Sequence, residues 1–113
     1  MNDDRTNASD AAATPVNVEH QPARGRFAAE LDGRTAVLEY MRVGDTVVFT
    51  HTEVPEGFEG RGIASALARA GLDHVRANDL VAAPLCPFMR AFVKRNPEYK
   101  ELVGFGQRGE RLG

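Results

Sequence analysis

Three places in this chain carry residue types that could do chemistry. The first is Cys86, set between Pro84 and Pro87. A strand ending at about residue 83 and a helix starting at Pro87 would put its thiol near a helix N-cap. There the helix dipole favours the thiolate, which is the nucleophilic form. The alternative is a small packing residue, because free cysteine is among the most buried types. The second is the pair His51 and Glu53. Two residues apart on a strand, they point to one face. Either could take a proton, and imidazole is the better base near neutral pH. The alternative is a solvated pair on an outer strand face. The third is a glycine-rich turn, Gly57, Gly60 and Gly62, followed by an apolar helical stripe. Unpaired N–H groups and the positive dipole end behind a bare glycine turn form a site for a phosphate group. The alternative is an ordinary turn before a core helix.

The elements that must hold these groups follow from pattern. Residues 46–54 are rich in β-branched side chains and predict a strand, ended by Pro55. Ile63, Ala66, Leu67 and Ala70 fall on one helical face, with Ser65, Arg69, Asp73 and Arg76 opposite. That helix is predicted from about Gly60 to Ala77, with Asn78 as a left-handed stop. Upstream, residues 16–20, 27–31 and 35–42 read as strands. They are separated by Pro22 and Gly25 and by the tight-hairpin signal Asp32-Gly33, and Gly44-Asp45 turns the chain into the next strand. Downstream, residues 80–83 are apolar and uncharged, as in a buried strand. Pro87 suits the first position of a second helix, with Phe88, Phe92, Met89 and Val93 inward, and Asn96-Pro97 ends it. One further turn is expected over 99–103.

The bulk properties bound the rest. The 113 residues allow one domain with one core. A net charge of −2 gives no general attraction to nucleic acid or anionic lipid. The charge is uneven: residues 1–56 carry −5 and residues 57–113 carry +3, so the positive half holds the glycine turn. One cysteine excludes an internal disulfide and fits a reducing compartment. No apolar run approaches the ~20 residues of a membrane helix, and the first residues lack a secretory pattern, so the cytoplasm is the expected location. Residues 1–15 are polar and small and are expected to form a disordered tail. The compact domain is expected over 16–103 and a frayed tail over 104–113. Histidines 20 and 74 read most simply as solvated.

Three phosphate-binding patterns could place these glycines. A P-loop needs Lys and Ser/Thr after its second glycine, and Ile63-Ala64 stands there. A dinucleotide fingerprint needs glycine or alanine at Ser65 and a first-strand position in a parallel unit. Gly60-Arg61-Gly62-Ile63-Ala64 instead resembles the acetyl-CoA pyrophosphate loop of the GNAT acetyltransferases, [Q/R]-x-x-G-x-[G/A]. Gly62 and Ala64 match it, and Glu59 stands where the family has Gln or Arg. The resemblance extends along the chain through Phe27…Leu31-Asp32-Gly33, Ala36-Val37-Leu38-Glu39-Tyr40, His51-Thr52-Glu53-Val54-Pro55, Pro84-Leu85-Cys86 and Arg95-Asn96-Pro97-Glu98-Tyr99, in one order. Together these pieces look like the small YjdJ-type branch of the GNAT superfamily, over residues 16–103.

The resemblance implies an α+β GNAT fold. Its sheet is mostly antiparallel with one splayed parallel strand pair, and it has one long and one shorter helix. It implies acetyl-CoA as cosubstrate, held by Val54, Glu59, Gly60, Arg61, Gly62, Ile63, Ala64 and Asn96. The pantetheine arm would lie in the gap between residues 51–54 and 83–86. It implies N-acetyltransfer to an unidentified amine, with Cys86, His51 and Glu53 as candidate catalytic residues. In this branch a cysteine at the position of Cys86 has been put forward as catalytic. The glutamate base of many larger relatives would fall near Val48, which cannot serve. The competing expectation is a non-catalytic acyl-CoA-binding or interaction module. No nucleic acid or membrane partner is expected, and the chain is expected to be a monomer or weak dimer.

Overall fold

The computed structural model describes residues 16–58 and 62–104. The expected tail over 1–15, all of the expected tail over 104–113 except Gly104, and the readings of Glu59, Gly60 and Arg61 lie outside the described residues. Five strands form one sheet in chain order: β1 (Val18–Gln21), β2 (Arg26–Leu31), β3 (Arg34–Val43), β4 (Thr46–Glu53) and β5 (Val81–Pro84). The first four pair antiparallel, and β5 joins β4 in parallel. The crossover carries α1 (Ile63–Ala77), and α2 (Pro87–Arg95) follows β5. Two 3-10 turns, Pro22–Arg24 and Pro97–Leu102, complete the described elements. The expected α+β architecture is thus present, with a long helix of 15 residues and a shorter one of 9.

Turn chemistry sets the meander. Asp32 and Gly33 both have positive φ, 53° and 78°, the backbone that a twisted two-residue hairpin requires. One sheet face carries Phe27, Ala29, Ala36, Leu38, Val47 and Phe49, all buried, and both helices contribute to the same core. From α1 the buried residues are Ile63, Leu67, Ala68, Gly71, Leu72 and Val75. Ala66 and Ala70, expected inward, are only half-buried, because the core stripe is centred on Leu67 and Leu72. Asn78 is not the left-handed stop: its φ is −108°, and Asp79 takes that conformation at φ 57°. Asn78 closes the helix by side chain instead, its Nδ2 donating to His74 O at 2.9 Å. In α2, Met89, Phe92 and Val93 are buried while Phe88 is half-buried. Past the last turn, Gly104 N–H donates to Ala82 O at 2.9 Å, so the chain lies along β5 there.

One irregularity decides what faces the site. In the β3–β4 ladder Tyr40 pairs with Phe49, but Glu39 pairs with His51, so Thr50 is an extra residue. This bulge resets the alternation of β4. Before it, Val47 and Phe49 face the core. After it, Thr52, opposite the buried Leu38, faces that side, and His51 and Glu53 face away.

Candidate active site

The parallel ladder between β4 and β5 ends at Phe49↔Pro84, while β4 runs on to Glu53. The break is made by one carbonyl: Phe49 O accepts from both Leu85 N–H (3.1 Å) and Cys86 N–H (3.0 Å). From there the chain turns into α2 and the two strands part. Cys86 is the N-cap of α2, as its flanking prolines led us to expect. Its extended backbone (φ −74°, ψ 139°) lets Sγ accept the N–H of Met89 at 3.5 Å. Across the gap, Thr52 Oγ1 lies 3.2 Å from the same sulfur. Cys86 is only 4% exposed, whereas the adjacent Leu85 is 54% exposed.

Beside this junction a groove of about 260 Å³ is lined by Val54, Phe58, Gly62, Ile63, Ala64, Ser65 and Phe88. It joins the end of β4, the start of α1 and the start of α2. Gly62 is the N-cap of α1 at φ 77°, a left-handed conformation that glycine adopts without strain. Having no side chain, it places no cap over the helix end, and no acidic residue stands in the first turn. The first amides of a helix have no intrahelical acceptor, so this end offers N–H donors and a positive dipole beside the groove. Phe58 forms one wall. Its ring is covered by the Arg34 guanidinium, 4.6 Å from the ring centroid.

The structure therefore brings Val54, Gly62, Ile63 and Ala64 together at the groove, while Cys86 lies outside its lining, two residues before Phe88. Among the described candidates, His51, Glu53 and Asn96 lie elsewhere. His51 Nε2 and Glu53 Oε1 are 3.4 Å apart, but the pair lies on the outer sheet face with side chains 54% and 70% exposed. Asn96 caps the far end of α2: its Nδ2 donates to Phe92 O at 2.8 Å, and its Oδ1 accepts from Arg69 at 3.4 Å. Three contributors were missed by sequence reasoning: Thr52, Ser65 and Phe58. The large apolar Phe58, set between Gly57 and Gly60 inside the glycine turn, was the one available signal.

Two more residues contradict their sequence reading. His20 and His74 are not simply solvated. Their rings meet edge to face at 4.5 Å, His20 stacks on Phe27 at 4.2 Å, and His20 Nε2 lies 2.6 Å from the Tyr40 hydroxyl. Burial, then the neighbouring His74, lowers the pKa of His20. Burial, then Arg42, lowers that of His74. Burial raises that of Tyr40.

A five-stranded mixed sheet with one parting parallel pair, and a glycine-capped helix at the gap, defines the class of fold. The chain belongs to the GCN5-related N-acetyltransferase family, whose model matches residues 26–102. It is similar to Protein NATD1 of Bos taurus, at 46% identity over 86 residues covering 74% of this chain and 76% of the relative. The Danio rerio protein of that name is 46% identical over 96 residues, covering 80% and 87%. A solution structure of a GCN5-like protein from Staphylococcus aureus superposes with a TM-score of 0.64, covering 86% of this chain and 96% of that one. At 19% identity it speaks for the fold alone. Among the described residues no helix is long and apolar enough to cross a membrane, and no group of side chains could hold a metal ion.

Proposed function

We propose that this protein is an acetyl-CoA-dependent N-acetyltransferase of the compact YjdJ-type branch, working in the cytoplasm on an amine acceptor. The observation that carries the reading is the groove between Val54, Gly62–Ala64 and Phe88, which pairs bare helix amides with apolar walls. Amides of α1 suit a pyrophosphate. Val54, Phe58 and Phe88 suit the less polar arm. On this reading the thioester reaches Cys86, two residues before the lining Phe88. Glu59, Gly60 and Arg61 belong to the binding loop by family pattern.

The chemistry runs in two halves. Cys86 Sγ bonds to the thioester carbonyl carbon, the bond from that carbon to the coenzyme A sulfur breaks, and the thiol proton leaves on coenzyme A. The acceptor nitrogen then bonds to the acetyl carbon, the bond to Cys86 breaks, and an amine proton returns to Sγ. His51 and Glu53, outside the gap, would serve only an acceptor that approaches from the outer sheet face.

Incubation with acetyl-CoA and no acceptor should leave one acetyl group on Cys86, read by intact mass and peptide mapping. Cys86→Ala should keep acetyl-CoA binding and lose transfer. The second reading is a non-catalytic acyl-CoA-binding module. Its support is the burial of Cys86, which lies at 4% exposure within the core. Binding of acetyl-CoA with no acetylation of Cys86 or of any amine would favour it.

A further inference from the structure

We infer that Thr52 is a positioning residue for the Cys86 sulfur, an inference that rests on transfer through Cys86. Two polar groups from different elements converge on Sγ. The Met89 N–H is fixed by the first turn of α2, and the Thr52 hydroxyl comes from β4 at 3.2 Å. The hydroxyl is there because of the bulge at Thr50; a regular strand would present His51 to this side instead. Val54 and Phe88, which lie two residues beyond Thr52 and Cys86 respectively, both line the groove.

A hydroxyl suits both states of the sulfur. It accepts S–H from the thiol and donates O–H to the thiolate, and hydrogen bonds to a charged partner are the stronger kind. In the first half of the transfer Thr52 therefore holds Sγ in place and favours its anionic form. Once the acetyl group is on, the sulfur is neutral and the Thr52 O–H no longer faces an anion. Thr52 makes no bond in either half, and the atom balance is that of the transfer itself.

The single cysteine makes alkylation a one-site signal, with Cys86→Ser as blank. Thr52→Val keeps the shape and removes the hydroxyl; Thr52→Ser keeps the hydroxyl. Thr52→Val should slow alkylation of Cys86 by iodoacetamide near neutral pH about tenfold. It should slow formation of acetyl-Cys86 by a similar factor, with acetyl-CoA affinity unchanged. Thr52→Ser should react as the wild type in both assays. The inference is overturned if Thr52→Val is alkylated at the wild-type rate, or if Thr52→Ser behaves like Thr52→Val. If alkylation slows while the wild type forms no acetyl-Cys86, the Thr52–Cys86 coupling stands and the transfer reading fails.

Discussion

Gly71 of α1 lies directly against the ring of Phe49 on β4: a β-carbon added there would stand 2.9 Å from Phe49 Cε1 and 2.9 Å from Leu38 Cδ2. The long helix can sit this low on the sheet only because that position has no side chain. Phe49 is wholly buried and its carbonyl ends the β4–β5 ladder, so the helix and the gap share one anchor.

Gly71→Ala should therefore destabilise the protein. Overpacking costs about 1–3 kcal/mol, and the gain in helix propensity returns roughly 1 kcal/mol. The net expectation is a loss of about 1 kcal/mol, read by urea and thermal unfolding. A melting temperature equal to or above the wild type would mean that the Phe49 ring gives way freely.

The His20–His74 contact predicts acid sensitivity. Both imidazoles titrate below their ordinary value of 6.5 in the folded state. As pH falls through 6.5 the unfolded chain takes up protons first, so stability falls. It is fully present above that value and is lost as pH drops towards the lowered folded values. Unfolding free energies should decline as pH falls below the ordinary imidazole value of 6.5, and His74→Gln should flatten the decline. An unchanged slope in that variant would assign the effect to other groups.

Ala64→Glu tests the groove. Ala64 lies on its wall in the first turn of α1, and a carboxylate there sets negative charge against any phosphate at the helix end. Calorimetry should detect no acetyl-CoA binding, with the fold intact by circular dichroism. Glu59→Gln, which restores the family pattern, should tighten binding modestly. Full affinity in Ala64→Glu would move the cofactor elsewhere.

Cys86→Ser separates capping from chemistry. Serine is a good N-cap residue, and its oxygen can accept from Met89 as the sulfur does. Stability should stay within about 1 kcal/mol of the wild type. Acetylation at position 86 should vanish, because a hydroxyl stays protonated near neutral pH. Transfer to an amine at the wild-type rate would show direct attack by the acceptor, with the thiol only packing.

Much of the scaffold could be read from local signals. Asp32-Gly33 and Gly44 announced the hairpins, the apolar spacing from Ile63 announced α1, and Pro84 and Pro87 placed Cys86 at a helix start. What escaped reading depends on register between strands. The run Thr46-Val47-Val48-Phe49-Thr50-His51-Thr52-Glu53 is uniformly strand-forming, and neither glycine nor proline marks the bulge. Thr52 was therefore passed over, and the attention given to His51 rested on a face whose direction the run does not reveal. The pairing of His20 with His74 was equally hidden, because it arises from β1 and α1 meeting in space. Asn78 and Asp79 both tolerate the left-handed conformation, so composition could not choose between them.

The strand order, identical to the order along the chain, also bears on how the molecule assembles. Strands β2 to β4 join through tight turns, and β1 joins β2 through one short 3-10 turn, so those pairings close small loops and can zip early. Only β5 must wait for the crossover that contains α1, the one long closure in the sheet. The expected sequence is a meander first and the parallel pair last. Native-state hydrogen exchange should then find Leu85 and Cys86 amides, both held by Phe49 O, opening more readily than those between β2 and β3. The groove between β4, α1 and α2 would be the last part of the protein to form and the first to come apart.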